Sequence, residues 1–126
     1  MNSLAPAGGA YGRAQTAART PRGIEYEVIA RVTRRLKAAA DHRQEDFPAF
    51  VAAVMDNLTL WTTLGLDVAE PTNALPAQLR AQLFYLFEFT NQHSRKLLNG
   101  DDASPDILIE INTSVMRGLR GEGGVQ

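Results

Sequence analysis

The stretch from Phe47 to Val68 constrains the fold more than any other part of the chain, because it has the pattern of one long, one-sided helix. At about 100° per residue, its apolar residues fall on one side over roughly six turns. The residues on that side are Phe47, Phe50, Val51, Val54, Leu58, Trp61, Gly65 and Val68. Pro48 falls in the first turn, where its missing N–H has no intrahelical partner, and Asp46 or Glu45 can cap the start. Other elements must cover the apolar side, so the stretch predicts the central helix of a helical domain.

Three further segments show the same periodicity. Helices are expected over 20–40, 74–99 and 104–120, and each has a proline in its first turn. Asn99-Gly100 is a typical C-terminal stop for the third helix. Because the links are short, the sequence predicts an all-α fold, a single small four-helix bundle whose neighbouring helices are mostly antiparallel.

The chain of 126 residues is long enough for one domain with a core. We expect a flexible N-terminal arm over 1–19, which is rich in Ala and Gly, a helical domain over 20–120, and a loose C-terminal tail over 121–126. Gly65 and Gly118 lie on the apolar sides of their helices, where glycine costs about 1 kcal/mol relative to alanine. We therefore expect close helix crossings at both positions.

The amino-acid composition gives little indication of a catalytic site. The chain has no cysteine, and its two histidines, His42 and His93, are far apart in sequence. No spacing resembles a metal-binding helix motif or a phosphate loop, and His93 is expected to pack or cap. We therefore predict no enzyme, no metal and no cofactor. No secretory signal pattern is evident, and we expect no apolar run of membrane-spanning length, which favours a cytoplasmic protein without membrane insertion.

The net charge of −1 conceals an asymmetry between the two ends of the chain. Residues 12–43 carry eight basic and three acidic residues, whereas the remainder carries five basic and eleven acidic ones. Arg31, Arg34 and Lys37 share the polar side of the first helix and could contact an anionic partner such as nucleic acid. The alternative is an ordinary solvated face, and the sequence favours it because few aromatic residues accompany the basic ones.

Several large apolar residues fall outside the predicted apolar sides of the helices. They are Leu60, Tyr85, Phe89, Ile109 and Met116. Two interpretations stay open: a bundle that buries more than one face of its central helices, or an exposed groove that binds a partner helix. Burying each such residue is worth roughly 1.5–3 kcal/mol, so a few of them would suffice for a binding hot spot.

An ordered set of short motifs resembles the FlaF family of flagellar biosynthesis regulators over about residues 10–120. The set consists of Ala10-Tyr11, Thr20-Pro21-Arg22 with Glu25, Asn57-Leu58 with Leu60-Trp61, Leu75-Pro76 with Leu79-Arg80, and Leu108-Ile109-Glu110-Ile111-Asn112 with Gly118-Leu119. Gly23 departs from the pattern, since a stronger helix former is expected there.

The resemblance implies a small helical cytoplasmic protein that promotes flagellin production and export. It implies flagellin as a partner, with a secretion chaperone as the molecular form of the activity. It also implies a functional link to an FlbT-like regulator of flagellin translation. Action on flagellin messenger RNA, directly or with that regulator, is the alternative. The resemblance supplies no catalytic residues.

Overall fold

The computed structural model describes residues 25–119, and within that range the chain forms four α-helices and no strand. The helices are α1 (Tyr26–Asp41), α2 (Phe47–Ala69), α3 (Ala77–Leu98) and α4 (Asp106–Leu119). This confirms the all-α fold with four helices, and the predicted central helix matches α2 to within one residue. The predicted start of the first helix at Thr20 is wrong, because α1 begins at Tyr26 and Glu25 is its N-cap, with an extended backbone (φ −123°, ψ 160°) that a helix running on from Thr20 would not have. The expected arm over 1–19 and the tail over 121–126 lie outside the described residues.

The predicted helix caps of α2 and α4 are present. The Asp46 side chain accepts a hydrogen bond from the Ala49 N–H at 3.1 Å, and Pro48 lies in the first turn of α2. The Ser104 hydroxyl accepts from the Asp106 N–H at 3.1 Å where α4 begins. Each cap satisfies a backbone donor that has no partner inside the helix.

Replacing Asp46 with alanine is expected to lower the free energy of unfolding by about 1 kcal/mol, because an N–H at the start of α2 loses its acceptor. Asp46→Asn is the matched control, since asparagine caps about as well as aspartate. Urea denaturation of the two variants measures the difference. Equal losses for both variants would show that the cap contributes nothing through its hydrogen bond.

The third helix begins slightly later than predicted and ends as predicted. Pro76 is the residue before the first helical turn rather than within it. At the other end Gly100 has a φ of 79°, and its N–H donates to the Leu97 carbonyl at 3.1 Å. The Asp101 N–H donates to the Lys96 carbonyl at 3.0 Å, which completes a Schellman motif around the glycine.

The helices pack in the order α3–α2–α1–α4. Helix α2 packs most extensively against α3 and then against α1, and α4 packs mainly against α1. Among these four helices, α3 and α4 make little direct backbone contact. The seam between α3 and α4 is therefore closed mainly by side chains.

Two apolar clusters make up the core, and every helix contributes to it. The Trp61 cluster contains Ile29, Val32, Leu60, Trp61, Leu64, Val68 and Leu83. The Phe50 cluster contains Leu36, Phe50, Ala53, Val54, Leu97 and Leu108. Each helix also has buried polar residues, which lie in its sequence between residues of one cluster and residues of the other. They form a buried polar layer made of Thr33, Asn57, Thr90, Ser94 and Asn112. The core is thus divided by polar side chains from all four helices.

Two arginine side chains form hydrogen bonds that connect the loops to the helix ends. Arg43 donates to the Ala103 carbonyl at 2.8 Å and stacks over Phe50, with 4.7 Å from its guanidinium carbon to the ring centre. Arg80 donates to the Val68 carbonyl at 3.1 Å, which places a positive charge at the C-terminal end of α2. These contacts tie adjacent ends of the bundle together.

The two glycines on the apolar sides differ in their surroundings. A Cβ on Gly65 would lie 2.5 Å from Cγ of Phe87, so α2 and α3 cross closely there, as predicted. A Cβ on Gly118 would meet nothing within 4 Å. The predicted crossing at Gly118 is therefore wrong, because that side of α4 faces solvent.

Helix α2 meets the length and composition of a membrane-spanning helix, and no other described helix does. Our expectation that the chain has no apolar run of that length is therefore wrong for Phe47–Ala69. The core helix of a soluble protein meets the same test. In this structure α2 supplies more of the two buried clusters than any other helix.

Candidate interaction surface

The buried polar layer fixes α4 against the rest of the bundle. Asn112 accepts a hydrogen bond from the Trp61 indole N–H at 2.8 Å, and its amide donates to Asn57 Oδ1 at 2.8 Å and to Thr33 Oγ1 at 3.0 Å. The Thr33 hydroxyl in turn donates to the Ile29 carbonyl at 2.6 Å. Because amide hydrogen bonds are directional, this network sets the rotation of α4 about its own axis.

This network was not predicted from the sequence, although the sequence contains a signal for it. Asn57 lies three residues after Val54 and four before Trp61, so it shares their side of α2. Asn112 lies four residues after Leu108, and Thr33 lies four after Ile29. Polar residues within apolar sides of three helices indicate buried partners for one another.

The structure places Leu60 in the core, so the prediction that it lies away from the buried side is wrong. Leu60 is 6% exposed and belongs to the Trp61 cluster. The reason is that α2 packs against α1 on one side and α3 on the other, so it buries a wider arc than its apolar stripe. Leu60 faces α1, where Val28 and Val32 line the same groove. It is not available to a partner on the surface.

Tyr85 is the predicted surface residue that the structure exposes most. Its side chain is 67% exposed on the outer side of α3, in a shallow depression lined by Gln78, Gln82 and Leu86. A tyrosine with most of its ring in water is a suitable anchor for a protein partner.

Phe89, Ile109 and Met116 are half-buried. Phe89 and Ile109 pack against the Phe50 cluster, and Met116 packs against the Trp61 cluster. Ile109 and Met116 are seven residues apart and therefore share one side of α4, and Phe89 lies one turn after Tyr85 on α3. We call these four residues of α3 and α4 the α3–α4 seam.

His93 closes one end of the α3–α4 seam. Its ring stacks on Phe89 with 5.5 Å between ring centres, and its Nε2 lies 2.6 Å from the Ser104 carbonyl oxygen. Because a carbonyl oxygen only accepts, Nε2 carries the proton in this contact. The prediction that His93 packs or caps is confirmed. Residues 25–119 contain no group of three or more histidine, aspartate or glutamate side chains placed to hold a metal ion.

The three basic residues predicted as an anionic-partner face are all exposed. Arg31, Arg34 and Lys37 lie on the solvent side of α1, and none of them forms an ion pair within the described range. The neighbouring Arg35 is different, because it pairs with Asp56 of α2 at 2.5 Å. The face is thus accessible, and its charges are not neutralised by the bundle.

Over residues 25–119 these features define a small helical bundle with exposed apolar and basic side chains on its surface. The family model described as flagellar protein FlaF matches residues 7–119. The chain therefore belongs to the FlaF family and is a flagellar protein. No curated protein and no solved structure matched the chain in the corresponding comparisons.

Proposed function

We propose that this protein is a non-enzymatic, cytoplasmic regulator of flagellum biogenesis that binds flagellin as a secretion chaperone and promotes its production and export. Membership of the FlaF family carries the flagellar part of this proposal. The accessible aromatic and aliphatic side chains of the α3–α4 seam support the binding part. An export chaperone has to hold an apolar segment of its client without doing chemistry on it.

The α3–α4 seam suits an amphipathic helix of flagellin. Tyr85 is largely exposed, and Phe89, Ile109 and Met116 are partly exposed. Because α3 and α4 are not in close backbone contact, a partner helix can bury side chains of both helices at once. Covering each large apolar side chain is worth roughly 1.5–3 kcal/mol before the cost of association.

Tyr85→Asp is expected to raise the Kd for monomeric flagellin at least tenfold, which corresponds to about 1.4 kcal/mol. The fold should be unaffected, because Tyr85 is 67% exposed. Isothermal titration calorimetry measures the affinity, and circular dichroism with thermal melting checks the fold. Phe89 is a poorer choice for this test, since it packs on the Phe50 cluster and stacks on His93.

Leu66→Asp is the matched control for this experiment. Leu66 is 63% exposed and lies on α2, away from the α3–α4 seam. The control should bind flagellin like the unchanged protein. Equal losses in both variants, or no loss in either, would contradict the seam as the flagellin site.

A second candidate function is action on flagellin messenger RNA, directly or with an FlbT-like regulator. The observation that favours it is the exposure of Arg31, Arg34 and Lys37 without ion pairs in the described part of the chain. Contacts with phosphates release counterions, so RNA affinity should fall steeply as salt increases. An RNA affinity that does not change between low and physiological salt would exclude direct phosphate contacts.

A further inference from the structure

Helix α2 has a solvent side that carries no charge. We call this side the α2 outer face, and its residues, all of them exposed, are Ala52, Met55, Thr59, Thr63, Leu66 and Ala69. Met55 is 44% exposed and Leu66 is 63% exposed. The only charged residues of α2 are Asp56 and Asp67. Asp56 lies at the α1 edge of this side, where its carboxylate, with 43% of the side chain exposed, pairs with Arg35, and Asp67 contacts the Asn73 side chain.

The other three helices lack such a surface. The solvent side of α1 carries Arg31, Arg34 and Lys37, that of α3 carries Glu88, Arg95 and Lys96, and that of α4 carries Asp106, Glu110 and Arg117. An exposed helix side of about five turns without charge is unusual for a surface that only meets water.

The threonines of α2 add to this apolar character. The Thr62 hydroxyl donates to the Leu58 carbonyl at 2.8 Å, and the Thr63 hydroxyl donates to the Thr59 carbonyl at 3.1 Å. These donors are satisfied within the helix, so the methyl groups are left for contact with another surface. With Ala52 and Ala69 near its two ends, the face also permits a close approach of another helix.

The apolar residues of the face are placed symmetrically about a point midway between Leu60 and Trp61. Met55 and Leu66 are equally far from this point, as are Ala52 and Ala69, and the exposed Thr59 and Thr63 lie on either side of it. When two copies of the face pack antiparallel about a two-fold axis through this point, Met55 of each copy meets Leu66 of the other. Residue i then contacts j and residue j contacts i, as an isologous interface requires.

The charges on the α3 flank of this face follow the same symmetry. Gly65 is in contact range of Phe87, which sets the antiparallel register of α2 and α3. In that register the exposed Glu88 lies level with Leu64, and the exposed Arg95 lies level with Asn57. Because these levels are equally far from the midpoint, the two-fold axis brings Glu88 of one copy to the level of Arg95 of the other. The α3 flanks of the two copies are therefore complementary in charge.

We propose that the α2 outer face binds a second copy of this chain, in an antiparallel two-fold arrangement of the two α2 helices. The contact spans about 16 Å of helix between Met55 and Leu66. One helix face is smaller than the roughly 800 Å² per partner of a standard stable interface. On the α1 flank, Arg31 of each copy adds a like charge. The dimer is accordingly weak and is in equilibrium with the monomer.

Analytical ultracentrifugation of the full chain over a range of concentrations tests this proposal. The unchanged protein should show a monomer–dimer equilibrium, and Leu66→Glu should raise the dimer dissociation constant at least tenfold. The double variant Met55→Lys with Leu66→Glu should restore dimerisation, because opposite charges then face each other across the axis. Tyr85→Glu is the matched control, since Tyr85 is as exposed as Leu66 and lies on another helix.

Disulfide trapping tests the antiparallel arrangement. Because the chain has no cysteine, any disulfide must form between the introduced residues. Mixed Met55→Cys and Leu66→Cys proteins should form a disulfide-linked dimer under mild oxidation. Neither variant should link to itself, because identical positions are about 16 Å apart along the axis.

Four results would overturn the proposal. They are a monomer at all concentrations, an equal loss of the dimer in Tyr85→Glu, efficient linking of Met55→Cys to itself, and a loss of flagellin affinity in Leu66→Glu without any change in self-association. The last result would assign the α2 outer face to flagellin instead.

Discussion

Replacing Asn112 with alanine should lower the free energy of unfolding by about 3–5 kcal/mol, since the change removes three hydrogen bonds from the core. The Trp61 indole N–H and Asn57 Oδ1 would each lose a partner at 2.8 Å, in surroundings where neither reaches water. Each buried polar group without a partner costs about 1–3 kcal/mol. A domain of this size has a total stability of about 5–15 kcal/mol, so the loss should be a large fraction of the total.

Urea denaturation followed by tryptophan fluorescence measures this effect, because Trp61 is the only tryptophan and contacts Asn112 directly. Gln92→Ala is the control, since Gln92 is an exposed amide on α3 and its loss should change stability by less than about 0.5 kcal/mol. If Asn112→Ala lost less than about 1 kcal/mol, the polar layer would not hold α4 in place.

The second large effect is expected at Gly65. Replacing it with valine should cost about 3 kcal/mol or more, because even a Cβ would lie 2.5 Å and 2.6 Å from two carbons of the Phe87 ring. These ring atoms cannot move aside without shifting α3 or forcing Phe87 out of the Trp61 cluster. The loss should appear as a lower denaturation midpoint in urea with little change in the slope.

Gly118→Val is the matched control, because a Cβ at Gly118 meets nothing within 4 Å. It should be close to neutral, since valine is the better helix former and nothing obstructs its side chain. A combined variant, Gly65→Val with Phe87→Ala, should recover part of the lost stability if the steric clash is the cause. No recovery in a double-mutant cycle would argue for a different origin of the loss.

The sequence predicted the elements of this fold well, because the information for them is local. The apolar period of α2, the Asp46 and Ser104 caps and the stop at Gly100 each depend on a few neighbouring residues. Gly65 was predicted as a crossing because glycine on the buried side of a helix needs a packing reason. The same reasoning failed for Gly118, since nothing in the sequence shows that its side of α4 is uncovered.

The candidate site was harder to predict, because exposure depends on which helices become neighbours. Leu60 was placed on the surface because it lies off the main stripe of α2, but α1 covers it. Tyr85 is similarly off the stripe of α3, and no described helix covers it. The difference between the two residues arises from the packing order α3–α2–α1–α4, which no local pattern encodes.

Predicting the hydrogen-bond network of Asn112 requires information about three helices at once. Each of its members is visible as a polar residue within an apolar side, yet their meeting depends on the register of α1, α2 and α4. Asparagine at such positions is costly unless it is paired, so finding several of them is itself a prediction of contact. This gives a sequence rule that can be applied to other helical bundles.

The central claim is that this FlaF-family protein binds flagellin directly. The most direct test is size-exclusion chromatography with light scattering of the full chain mixed with monomeric flagellin, with an FlbT-like protein, and with both. The claim predicts a discrete complex with flagellin alone. A complex that forms only when the FlbT-like protein is present would contradict it, and would instead make this protein a regulator that senses flagellin through another chain.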